Sequence, residues 1–80
     1  MNTKQAIANR IIQLCDQYQI AVNELAGRSG ISPSTVYSIL DERSHNPGAV
    51  TIKKLCDGLG ITLGEFFSTS EFDALEQEIK

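Results

Sequence analysis

Gly30, the Asn46-Pro47-Gly48 triplet and Gly60 interrupt an otherwise helical periodicity of apolar residues. The segments between them allow only short helices. None alternates apolar and polar residues over a strand's length, and no Asn-Gly or Asp-Gly pair offers a hairpin turn. Such a chain can bury its apolar residues only by packing several short amphipathic helices together. The expected fold class is all-α, with no repeat and no low-complexity tract.

The first helix is expected over Thr3–Tyr18, with Ile7, Ile11, Leu14, Cys15 and Tyr18 on one face and Asn2 or Thr3 as cap. A second runs over Val22–Ser29, with Leu25 and Ala26 inward. Gly30 ends it in the left-handed conformation, and Ile31 turns in. A third starts from Ser32 as N-cap, with Pro33 where no N–H is needed. Its buried stripe is Val36, Ile39 and Leu40, which leaves Pro33, Ser34, Tyr37, Ser38 and Asp41 outside. The polar 41–48 segment is a turn.

Helix four, over Ala49–Leu59, buries Ile52, Leu55, Cys56 and Leu59. Gly58 within it costs roughly 1 kcal/mol relative to Ala. Thr62-Leu63-Gly64-Glu65 reads as the capping box of helix five, whose Leu63, Phe66 and Phe67 are expected in the core. Ser70 is expected to cap a short sixth helix running toward Lys80, with Phe72, Leu75 and Ile79 on one face. That stripe either packs on its own subunit or forms a dimer surface. The division expected is a five-helix domain over 1–67 and an acidic tail over 68–80.

The 80 residues carry a net charge of −3, and the tail alone accounts for it: Glu71, Asp73, Glu76 and Glu78 oppose Lys80. Residues 1–67 are neutral overall, so a local basic face stays compatible with an anionic partner. No apolar run approaches the roughly 18–20 residues that span a bilayer. The opening MNTKQAIANR lacks the apolar run of a signal peptide. A soluble cytoplasmic protein without membrane association is expected. Cys15 and Cys56 lie far apart and the chain has a single histidine, so the pattern offers neither a zinc site nor a CxxC motif. Both thiols are expected reduced, in the core. His45 has no accompanying nucleophile and carboxylate series, so no enzyme, no catalytic residue, no metal, no cofactor and no small-molecule ligand is expected.

Two short helices joined through Gly30, the second with a small polar front edge, form a helix-turn-helix pattern. The chain resembles the repressor-type helix-turn-helix domains of the lambda-repressor and Cro class, the XRE-like regulators. Ile7-Ala8-Asn9-Arg10-Ile11 with Leu14 resembles the first helix of that family. Asn23-Glu24-Leu25-Ala26, Gly30-Ile31-Ser32 and Ser34-Thr35-Val36 resemble its two-helix core. Asn46-Pro47, Thr51-Ile52, Leu55, Leu59-Gly60-Ile61 and Leu63-Gly64-Glu65-Phe66-Phe67 resemble the rest, so about residues 7–67 are covered.

The resemblance implies a compact five-helix domain that binds double-stranded DNA as a homodimer on a two-fold operator. The chain would be a sequence-specific transcriptional regulator, a repressor. The helix from Ser32 would lie in the major groove. Ser32, Pro33, Ser34, Tyr37 and Ser38 would face bases. Thr35, Arg43, Ser44, His45, Asn46 and Lys54 would face phosphates, with Lys53 as the other candidate on helix four.

The chain departs from the family at several positions. The reading face holds none of the Gln, Arg or Asn that make bidentate base contacts. Ala21 and Val22 replace a usual Ser cap and a phosphate-touching Gln. Asp41-Glu42 stands where Asn-Gly is frequent. Cys15 and Leu40 replace an Arg–Glu pair, so both members of that pair become apolar. The competing function is a protein-interaction module that keeps the fold with weak or no operator reading.

Overall fold

The computed structural model describes residues 2–41 and 46–79, and shows six helices and no strand among them. They are α1 Thr3–Tyr18, α2 Val22–Ser29, α3 Pro33–Leu40, α4 Ala49–Leu59, α5 Leu63–Phe67 and α6 Ser70–Asp73. The core they enclose contains Ile11, Leu14, Leu25, Val36, Leu55, Cys56 and Phe66, all fully buried. α4 lies chiefly against α2, while α3 is held between α2 and α1.

Local sequence accounts for most boundaries. The Asn2 carboxamide oxygen accepts from Gln5 N at 2.8 Å, and Gln5 Oε1 accepts from Asn2 N at 2.9 Å, which closes a capping box at α1. Thr62 and Glu65 form the same reciprocal pair at α5. Ser32 Oγ accepts from Thr35 N at 3.3 Å and starts α3, with Pro33 in the first turn. Three helices end alike: Gln19, Gly30 and Gly60 adopt positive φ, and the isoleucine that follows each one turns inward. Ile20, Ile31 and Ile61 donate to Cys15 O, Ala26 O and Cys56 O respectively, and all three side chains pack on the core.

This ending corrects one expectation. Tyr18 is 44% exposed, because the reversal at Gln19 brings Ile20 onto the core in its place. Leu63 and Phe67 are also corrected. They lie four residues apart on the outer side of a five-residue helix, and only Phe66 between them is buried.

The two cysteines are free and buried. Burial, then the neighbouring Asp16 carboxylate, raises the Cys15 pKa. Burial and Asp57 raise that of Cys56 against the pull of Lys53 and Arg10. Both therefore stay neutral thiols in ordinary conditions. Leu40 packs on the core but is only half-buried, being the last residue of α3. We expect Leu40→Ala to cost about 2 kcal/mol, at the low end for a Leu truncation. Thermal or urea unfolding checks this, and a loss of the size seen on emptying a sealed site would contradict the observed exposure.

The tail differs most from expectation. Thr69, not Ser70, caps α6, and the helix stops at Asp73. Ile79, expected on a helical stripe, is 86% exposed. Continuing the helix would set Glu76 and Glu78 in its last turns, where negative charge opposes the helix dipole. The tail instead packs on its own subunit through Phe72, whose ring lies 5.0 Å from Phe67 and 6.2 Å from Phe66. It then returns to α1, where Glu78 Oε2 accepts from Thr3 Oγ1 at 2.8 Å and from Thr3 N at 3.3 Å.

Candidate nucleic-acid interface

α2 and α3 meet through Gly30, whose positive φ of 70° reverses the chain within a few residues. Val36 and Ile39 anchor the inner side of α3, so helical geometry forces the intervening residues outward. Ser32, Pro33, Ser34, Thr35, Tyr37 and Ser38 are all exposed, Tyr37 to 53%. Ser32 Oγ lies 3.0 Å from Ser34 Oγ and 2.9 Å from Thr35 Oγ1. The leading edge of α3 is thus a cluster of three hydroxyls beside a proline ring. No residue from Ser32 to Leu40 carries a formal charge.

A groove of about 260 Å³ separates α3 from the start of α4, lined by Thr35, Ser38, Ile39, Asn46, Pro47, Gly48 and Thr51. It brings Asn46 together with Thr35 and Ser38. Lys54 is exposed on α4, one turn beyond Thr51 and so on the same side. The neighbouring Lys53 is engaged by Asp57, four residues on, which separates the two lysines the sequence left as alternatives. Arg43, Ser44 and His45 lie outside the described residues.

Two cations that hold helix ends, one of them the end of α3, escaped sequence reasoning. Lys4 Nζ donates to Ile39 O at 3.2 Å and also to Asp41 O, so α1 holds the carbonyl end of α3. Arg10 donates from Nε to Phe66 O at 2.7 Å and from Nη2 to Glu65 O at 2.8 Å, capping α5 the same way. Their partners are backbone carbonyls 35 to 56 residues away, for which a single sequence carries no signal. On α2, Glu24 and Arg28 pair at 2.7 Å on the exposed side, a contact of small energetic consequence.

The family model of the Cro/C1-type helix-turn-helix DNA-binding domain matches residues 10–71. The chain belongs to this family. Its Cro/C1-type helix-turn-helix is formed by α2 and α3, and the protein is a DNA-binding regulator. Among solved structures, the domain is similar to the prophage Lp1 protein 11, with a TM-score of 0.82 and 29% identity. The match covers 94% of this chain and all of that one. No curated protein matches. The Cro/C1-type family is regulatory rather than enzymatic. Among the described residues, no helix is long and apolar enough to cross a membrane.

Proposed function

We propose that this protein is a cytoplasmic, sequence-specific transcriptional repressor that acts as a homodimer on a two-fold operator. Residues 1–67 carry the DNA-binding function. α3 enters the major groove, with Ser32, Pro33, Ser34, Tyr37 and Ser38 toward bases. Thr35, Asn46 and Lys54 are assigned to phosphates, as are Arg43, Ser44 and His45. The observation that carries this reading is the exposed edge of α3: small, uncharged, free of protruding carboxylates and continuous with the groove to Asn46. A helix with such an edge can approach base pairs closely. Repression by occupying an operator requires nothing further of the domain.

Selection of bound sequences from random duplex DNA tests the proposal, followed by titration of the selected site at several salt concentrations. A selected two-fold site is expected. Recovery of no preferred sequence would favour a protein-interaction module instead. We expect Tyr37→Ala to weaken binding to that site while changing stability by no more than about 0.5 kcal/mol, because the ring is a surface group. A large loss of stability would place Tyr37 in the core. Lys54→Ala is expected to weaken all duplexes alike and to reduce the salt slope by about one unit.

The dimer surface we propose is the outer side of α5. Leu63 and Phe67 stand exposed there beside Ala49, Ile52 and Gly64, lining a concavity of about 400 Å³, with Val50 70% exposed on α4. A two-fold contact needs one self-complementary patch, and this one is apolar. It would set two copies of α3 about one DNA turn apart, roughly 34–36 Å. Sedimentation of Leu63→Glu across a concentration series should show monomer where the parent protein dimerises. Equal masses would move the interface elsewhere.

A further inference from the structure

Resting on the proposed placement of α3 in the major groove, we infer that the protein recognises its half-sites chiefly through thymine methyl groups. The readers are the Pro33 and Tyr37 rings.

The major groove distinguishes base pairs by hydrogen-bonding edges and by the thymine methyl. Arg or Lys grips guanine, Asn or Gln grips adenine, and Asp or Glu accepts from cytosine. None of these residue types occurs between Ser32 and Leu40. What α3 offers is of two kinds. Ser34 and Ser38, four residues apart, form a row of hydroxyls, and Ser34 is joined to Ser32 at 3.0 Å. A hydroxyl both donates and accepts, so it tolerates any base edge and discriminates poorly. Pro33 and Tyr37, also four residues apart, form a parallel apolar ridge. Both are exposed, and Tyr37 is 53% accessible although nothing in the core demands an aromatic there. The only part of the base code that an apolar ridge can read is the methyl group. The buried side of α3, fixed by Val36 and Ile39, prevents the helix from rolling to present another face.

The test uses the full chain and a duplex chosen by selection. Each thymine in the half-site is replaced singly by deoxyuridine, which keeps pairing and removes only the methyl. One or more positions per half-site should lose affinity by about fourfold, the effect of leaving one methyl-sized group unburied. At such a position, a C·G pair should bind worse than T·A. A 5-methylcytosine·G pair should recover part of that loss. In Tyr37→Ala, the deoxyuridine penalty should vanish at the positions that Tyr37 covers, whereas Tyr37→Phe should retain it. If a selected site binds equally with thymine or deoxyuridine throughout, methyl readout is wrong and operator recognition stands on DNA shape. If selection yields no preferred sequence, both this inference and the operator reading fail.

Discussion

Phe66→Ala should lower stability by about 3–5 kcal/mol, the range for emptying a buried aromatic site. Phe66 is fully buried at the point where α5 closes the core. Its ring centroid lies 4.9 Å from that of Phe67 in an edge-to-face arrangement and 6.2 Å from that of Phe72. The truncation therefore removes two kinds of contact, the packing against the core and the ring pairs that tether the tail. Typical domains have only about 5–15 kcal/mol in total, so this loss consumes a large part of it. Urea unfolding should show a lower midpoint with an unchanged slope. Limited proteolysis should cut after residue 68 faster in the variant, because Phe72 loses a ring it rests on. A shift below about 1 kcal/mol would mean that α5 is not integral to the core.

Gly58→Ala is the second large effect, and its sign runs against helix propensity. In an exposed helix interior the change would add roughly 1 kcal/mol of stability. Here a Cβ at position 58 would sit 2.3 Å from Ser29 Oγ, 3.1 Å from Ser29 N and 3.3 Å from Arg28 C. α4 and α2 approach so closely that only glycine fits between them. Ser29 Oγ is itself buried there without a hydrogen-bond partner among the described residues. We expect Gly58→Ala to destabilise by about 1–3 kcal/mol, as overpacking does. Ser29→Ala alone should be neutral or stabilising, since it removes a desolvated hydroxyl. In the Ser29→Ala background Gly58→Ala should cost less, because the shortest clash is gone. The remaining cost would come from backbone atoms of α2. Thermal unfolding of the four proteins measures the coupling. Strict additivity would show that the serine side chain is not what excludes the methyl.

Much of this molecule is determined locally. The starts of α1, α3 and α5 follow from side-chain caps and the ends of α1, α2 and α4 from positive-φ residues, because each such device involves residues within one or two turns. The inward face of α3 follows from Val36 and Ile39, and its polar edge follows by elimination, so the candidate interface was visible in order and spacing.

Other features required the packed chain. Gly58 reads in sequence as a weak point of α4 and becomes a packing requirement only when α2 lies across it. Lys4 and Arg10 look like surface cations until the carbonyl ends of α3 and α5 are brought to them from far along the chain. The apolar stripe of the tail suggests a helix to Lys80. Yet Phe72 finds its rings within the same subunit, and Glu78 finds Thr3 at the start of α1. Periodicity and capping state what a segment prefers by itself. Which apolar or charged group is satisfied, and by what, depends on contacts between residues distant in sequence, and only the tertiary structure sets those.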